Sequence, residues 1–337
     1  MTKPSAKRAP SLFGHYLLID RMGIGGMAEV WRAKMFGGEG QGRRVAVKRI
    51  LPHLADTDDF ISMFLDEGRI SLQLLHENIA QLYEVGQIGP HAFLSLEYIA
   101  GKPLSALFGR GRKQGLPLPV PLACYCIAKA CEGLDHAHRK KDGRGRDMNI
   151  IHRGLSLDDV LVSYAGEVKV IDFGIAKAAG RVTQTGPGII KGKFGYMSPE
   201  QINGQPLDQR SDVFAMGVCL YELLTGRRLF VGESDFDSLD LVRKGKVTPP
   251  SQYNPELPLA LEQAVLRALA PDVNERYRYA SELAADLQRF RELSDSSFGA
   301  RELRQYMSAS FPEDLVLEAQ RLQEEAKLEP PQGFDEA

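Results

Sequence analysis

No run in this sequence approaches the roughly 18 uninterrupted apolar residues that a membrane-spanning helix needs. The opening stretch, MTKPSAKRAPS, is basic but has no apolar core behind it, so residues 1–13 read as a disordered tail rather than a secretory signal. A cytoplasmic location, with no membrane partner, is the resulting expectation. Cysteine is scarce: four residues, with Cys124, Cys126 and Cys131 in one helical stretch and Cys219 far away. No paired C-x-x-C or adjacent histidine set accompanies them, so they read as buried reduced thiols rather than a disulfide framework or zinc site. His136 and His138, in DHAHRK, likewise read as helix packing. Excess charge is lacking too. Forty-two basic and 44 acidic residues leave a net charge of −2, which gives no electrostatic case for a nucleic-acid partner. No G-K-[ST] marks a Walker loop, and no internal repeat is visible.

What is present divides into two parts. From about Tyr16 to Glu97, the runs YLLIDRMG, EVWRAKM, RRVAVKRI, QLYEVGQI and HAFLSLEYI are β-rich and separated by turn residues. One helical pattern interrupts them, with Phe60, Ile61, Phe64, Leu65, Ile70, Leu72 and Leu75 at helical spacing. After Gly101 the runs PLACYCIAKACEGLDHAHRK, SDVFAMGVCLYELLTG, LALEQAVLRALA and YASELAADLQRF all predict helices. A β-rich lobe followed by a helical lobe is an α+β organisation. Beyond it, ARELRQYMSASF and PEDLVLEAQRLQEEAKL predict two amphipathic helices, the second opening on Pro-Glu-Asp, which suits a first turn. These helices are expected either to pack back on the helical lobe or to bind a partner.

The informative residues lie in the β-rich part and shortly after it. Gly23-Ile24-Gly25-Gly26-Met27-Ala28-Glu29-Val30 carries a glycine-rich turn whose third glycine position holds Ala28. A dinucleotide-binding turn would open a helix. Here Glu29-Val30-Trp31-Arg32-Ala33-Lys34 follows, which favours a hairpin with a glycine tip, the form of lid laid over ATP phosphates. Val45-Ala46-Val47-Lys48 ends an alternating strand on a lysine, and Glu67 sits in the following helix as its candidate partner. Val170-Ile171-Asp172-Phe173-Gly174 places an aspartate just after a strand, where it could hold Mg²⁺ on phosphate oxygens.

In this order and spacing the chain resembles the bacterial eukaryotic-type Ser/Thr protein kinases over about residues 14–291. The resemblance implies a bilobal kinase fold, with a small antiparallel β-lobe over about 14–99 and a helical lobe over about 100–291. Residues 292–337 are left as a C-terminal helical extension and tail. The resemblance also implies ATP and Mg²⁺ as cofactors. Leu96-Glu97-Tyr98-Ile99 resembles the adenine-binding hinge, and Val30, Ala46 and Leu161 match the apolar positions that sandwich adenine. Tyr196-Met197-Ser198-Pro199-Glu200 resembles the end of the activation segment, Arg276 its arginine partner, and Asp212 the central-helix aspartate.

The catalytic loop departs from the family pattern H-R-D-L-K-P-x-N. This chain reads His152-Arg153-Gly154-Leu155-Ser156-Leu157-Asp158-Asp159. Gly154 stands where the family has the aspartate that accepts the substrate hydroxyl's proton, and Asp159 where it has a metal-binding asparagine. Asp158 is the candidate substitute base, and Asp159 and Asp172 are the candidate metal ligands. Thr183 and Thr185 are candidate phosphosites, with Arg153 as a phosphate partner. The expected function is that of a nucleotide-binding pseudokinase acting on signalling partners, an active kinase among them. The alternative is a slow Ser/Thr kinase.

Overall fold

A computed structural model describes residues 10–37, 40–54, 58–173, 194–293 and 298–329. Strands β1 (Ser11–Phe13), β2 (Tyr16–Ile24), β3 (Ala28–Met35) and β4 (Arg44–Ile50) precede helix α1 (Asp58–Ser71). Strands β5 (Leu82–Ile88) and β6 (His91–Glu97) complete an antiparallel sheet in the order β1-β2-β3-β4-β6-β5. One face of the sheet buries Tyr16, Leu18, Trp31, Ala33, Val45, Val47 and Phe93 among themselves. The opposite face packs Ile50, Leu82 and Leu94 against Phe60 and Phe64 of α1. The alternation Val45-Ala46-Val47-Lys48 thus does two jobs: the valines fill one core, and Ala46 and Lys48 project to the other side.

Residues 11–13, read from sequence as the end of a tail, form β1 instead. Phe13 is buried edge-to-face on Phe93, centroids 5.4 Å apart, and that aromatic contact gives the short edge strand its reason to order.

The second lobe opens with β7 (Gly101–Pro103), α2 (Leu104–Gln114) and α3 (Val120–His138). It continues with β8 (Val160–Ser163) and β9 (Val168–Val170). Then come α4 (Pro199–Ile202), α5 (Arg210–Thr225), α6 (Asp235–Lys244), α7 (Leu259–Ala268) and α8 (Ala280–Leu293). Helix α5 is apolar almost all round and buried along nearly its whole length, as a helix at the centre of a bundle must be. Cys124, Cys126, Cys131 and Cys219 are all buried free thiols in this core, and burial pushes Cys124 up to about 12. Among the described residues no helix is long and apolar enough to cross a membrane.

Two further helices, α9 (Ala300–Ser310) and α10 (Pro312–Ala326), follow the lobe. Leu303 and Met307 of α9 are fully buried in the second-lobe core. Gly166, in the β8–β9 turn, has φ +90°, and a Cβ there would lie 2.1 Å from the Ala300 carbonyl, so glycine is what admits α9. Helix α10 does not stay on this lobe; it crosses to the β-sheet.

A buried ion pair ties elements of the second lobe together. Arg276 donates from Nη1 and Nη2 to the two carboxylate oxygens of Glu200, at 2.7 and 2.9 Å, with both side chains nearly inaccessible. Burial alone would raise the Glu200 pKa, but Arg276 outweighs it and holds the carboxyl below its ordinary 4.5. The stability this contributes is therefore full above pH 4.5 and is lost as pH falls through the depressed folded value. Glu200→Gln should cost roughly 3–5 kcal/mol at neutral pH by stranding Arg276. In urea melts across pH, that difference should shrink steadily below the ordinary glutamate range.

Candidate functional site

Strand register builds the cleft between the lobes. Across β3 and β4 the directly opposed pairs are Ala28 with Ile50, Val30 with Lys48, Arg32 with Ala46, and Lys34 with Arg44. Residues two apart share a sheet face, so these four pairs form one row. Its Ile50 end is covered by α1. Val30, Ala46 and Lys48 come next and remain part-exposed. Leu96 of β6 stands opposite Ala46, also part-exposed. Leu161 of β8, opposite Pro103 and Lys169, supplies a part-exposed apolar residue from the second lobe.

The glycine turn closes the mouth of this row. Gly23 pairs with Val30, and the Gly25 amide donates to the Ala28 carbonyl at 2.8 Å. A Cβ at Gly23 would meet nothing within 4 Å, and one at Gly25 only the Ala28 carbonyl at 3.5 Å. Protein packing does not demand glycine at either position. The open space fits a backbone that must come close to something else. Gly26 lies in the same exposed turn. Behind it, Lys48 Nζ lies 2.8 Å from Asp172 Oδ1, so two of the predicted phosphate-handling residues are brought together across the lobes. Helix α1 carries the backbone of Glu67, whose side chain lies outside the described residues.

The catalytic loop hangs on one carboxylate. Asp212 of α5 accepts from the His152 amide at 2.8 Å and from the Arg153 amide at 2.9 Å, and His138 Nε2 lies 2.8 Å from the same carboxylate. Asp212 is fully buried, which taken alone would raise its pKa. The bonds and charge from His138 and His152 outweigh that and keep it below its ordinary value. His152 in turn donates to the Ile171 carbonyl at 2.7 Å, and its ring lies 5.0 Å from that of Phe173. The Ile171 amide bonds the Asp159 carbonyl at 2.9 Å, which sets Asp159 beside the Asp172 strand end. Left-handed backbone falls on Arg153 (φ 67°) and Asp172 (φ 65°), not on Gly154. Nothing in the backbone at 154 therefore calls for glycine.

The remaining sequence candidates are placed as follows. Ser156 Oγ donates to the Asp159 carboxylate at 2.5 Å, and Asp159 is buried. Asp158 is exposed, and its carboxylate is bonded by Ser105 at the start of α2. The Glu97 carboxylate accepts from Lys169 at 2.9 Å and from the Gln81 amide at 3.1 Å, and Ile99 stays part-exposed in the inter-lobe segment. The Arg153 carbonyl accepts from Gln201 at 2.8 Å. Thr183 and Thr185 lie outside the described residues. His138 reads in sequence as helix packing and Tyr98 only as part of the hinge stretch, yet His138 meets Asp212 and the Tyr98 hydroxyl donates to Glu318 across 220 residues. Only a long-range fold brings either pair together, so no local signal could have found them.

The donor set fits a magnesium–nucleotide. Asp159 and Asp172 offer hard oxygen ligands, Lys48 a cation for phosphate, and the glycine turn room for phosphates. Among the described residues there is no group of three or more His, Cys, Asp or Glu side chains placed to hold a metal ion.

A β-roofed cleft, a lysine–aspartate pair inside it and a loop strung from a central-helix carboxylate define the class as a bilobal kinase fold. The chain belongs to the protein kinase domain family, which it matches over residues 16–286. It is 38% identical over 310 residues to the tyrosine-protein kinase MasK of Myxococcus xanthus, covering 92% of this chain and 48% of that protein. To the serine/threonine-protein kinase PknB of Mycobacterium leprae it is 36% identical over 288 residues, covering 83% and 43%. The chain thus spans about half, or less, of these relatives' length. Among solved structures it superposes on the PknI kinase domain of Mycobacterium tuberculosis with TM-score 0.63 at 23% identity, covering 84% of this chain and 99% of that one, a likeness of fold.

Asp212→Asn should loosen the loop without emptying the cleft. Amide exchange at His152 and Arg153 should accelerate, and stability should fall by about 1–3 kcal/mol. Unchanged exchange at both amides would show that the loop is held by other means.

Proposed function

We infer that this chain is a nucleotide-binding pseudokinase, a signalling protein whose occupied state controls a partner. The observation that carries this reading is Gly154. The loop around it is fully strung, with its amides on Asp212, yet the position where the family places its base has no side chain. General acid–base groups contribute about 10²–10⁴-fold to a reaction. Phosphoryl transfer depends mainly on positioning and electrostatics, so losing the base leaves a crippled enzyme rather than an inert one. Asp158, engaged with Ser105, is a poor replacement in this conformation.

Nucleotide binding is supported by the residues that survive. Val30, Ala46, Leu96 and Leu161 would sandwich the base, with Glu97 and Ile99 offering main-chain groups at the hinge. Gly23, Gly25, Gly26 and Lys48 would hold phosphates, with Glu67 as the lysine's helix partner, and Asp159 and Asp172 would hold Mg²⁺. The metal ion supplies charge neutralisation at the phosphates. Thr183 and Thr185 remain proposed sites for an active kinase acting in trans, with Arg153 as phosphate partner.

The Lys48–Asp172 pair favours a second reading, a slow protein kinase, in keeping with relatives named for tyrosine or serine/threonine phosphorylation. Intact-mass spectrometry with ATP and Mg²⁺ separates the two. The parent should stay unmodified, while Gly154→Asp, which meets no left-handed backbone at 154, should gain phosphate at a rate at least about 10²-fold higher. Phosphate on the parent that disappears in Asp172→Ala would establish the slow kinase instead. Phosphoamino-acid analysis of the repaired variant would assign its hydroxyl class.

A further inference from the structure

The row of residues that roofs the cleft does not end in solvent. Past Val30 and Ala46 it continues through Arg32 to the Lys34–Arg44 pair, and there α10 lies across it. Glu325 Oε1 of α10 lies 2.9 Å from Arg32 Nε, and Glu318 lies 3.7 Å from Arg32 and 3.4 Å from Arg44. Lys34 Nζ caps the helix end, donating to the carbonyls of Glu325 at 3.0 Å and Leu328 at 2.8 Å. On the other side of the hinge, Lys102 bonds Asp314 at 2.6 Å, and Lys102 and Arg110 both stack on Phe311 at 5.7 Å. Between the two sets, the Tyr98 hydroxyl lies 3.0 Å from each Glu318 oxygen. Helix α10 therefore touches the sheet, the hinge and the second lobe.

The two extension helices are held by different physics. Helix α9 is anchored by apolar burial of Leu303 and Met307. The buried side chains of α10 are Glu318 and Glu325, while Val316 (57% exposed) and Leu317 (48%) face solvent. It turns its charged face inward, onto arginines. A buried ion pair adds little net stability when well made, yet is costly once one partner shifts, so such contacts report relative position sharply. Burial, then Glu318, pushes Tyr98 up to about 12, so the phenol remains a proton donor to Glu318 at neutral pH.

We propose that α10 is a clamp on the inter-lobe hinge, with Glu318 acting through Tyr98 as a positioning residue for nucleotide binding. Helix α9 is the fixed anchor and α10 the arm. Tyr98 sits between Glu97 and Ile99, so a base seated on the hinge and a carboxylate seated behind it act on the same short segment. Arg32 lies two residues from Val30 on one sheet face, which couples the roof of the cleft to the same helix. Nucleotide and clamp are then thermodynamically linked: each favours the hinge geometry that the other requires. The inference rests on the nucleotide-binding reading.

Hydrogen–deuterium exchange on the full chain, with and without Mg²⁺–ADP, tests it. Nucleotide should slow exchange in residues 23–30 and also in residues 312–328, which lie behind the hinge. Tyr98→Phe keeps the ring but removes the hydroxyl. It should unfold at close to the parent's temperature, bind Mg²⁺–ADP roughly 5–20-fold more weakly, and lose the protection of α10. Glu318→Gln should add little on top of Tyr98→Phe if the two act as a pair. Protection of residues 23–30 with α10 unchanged would overturn the clamp and leave nucleotide binding standing. So would a Tyr98→Phe variant with parental affinity. No protection in either region would overturn both.

Discussion

A fully buried aspartate in the middle of an apolar helix is an expensive thing to fold, and much of this protein is arranged to make it tolerable. Asp212 lies on α5, a helix otherwise suited to a core. Its charge is balanced by two backbone amides and an imidazole rather than by an arginine. Because the amides belong to His152 and Arg153, satisfying the carboxylate fixes the start of the catalytic loop. Because His152 also bonds Ile171 and packs on Phe173, the same constraint passes to the strand end that presents Asp172. A desolvated charge on α5 thus ties down groups on three other chain segments, and none of these contacts passes through a side chain at 154.

That separation between frame and chemistry explains how a kinase domain can keep its architecture with Gly154 in place. The frame depends on Asp212, on the Glu200–Arg276 pair and on the α3–α5 core, all of which are buried within the protein. Proton acceptance depends on one carboxylate at 154. Residue 154 itself carries no left-handed backbone, so the conformation there does not require either glycine or aspartate. Nucleotide-facing positions are different in kind. Gly23 and Gly25 are not required by protein packing, and Lys48 meets Asp172 across a gap between lobes; on the proposed nucleotide-binding reading these features serve a ligand rather than stability.

Periodicity and turn chemistry made most of the fold legible. The Val45–Lys48 alternation, the hairpin after the glycine turn and the helical spacing from Phe60 to Leu75 each state a local requirement that the structure meets with a strand, a hairpin and a helix. Phe13 reads as tail because a three-residue strand has no period to detect; its order comes from Phe93, 80 residues away. His138 reads as packing for a related reason. A histidine on a buried helix face looks the same in sequence whether it fills space or donates to a carboxylate.

The sequence alone determined the lobed α+β architecture, the identity of the residues at each motif position and the absence of a carboxylate at 154. These are matters of local pattern and covalent identity. Tertiary structure alone decided which charges meet. Asp158 turns to Ser105, Glu97 to Lys169, and Glu318 and Glu325 to Arg32 and Arg44 across nearly 300 residues. An amphipathic pattern predicts that a helix will bury its apolar side. Helix α10 buries glutamates instead, because the surface it meets is a row of arginines and lysine. The energy of such a contact belongs to the pair, and neither partner's neighbours in sequence carry any trace of it.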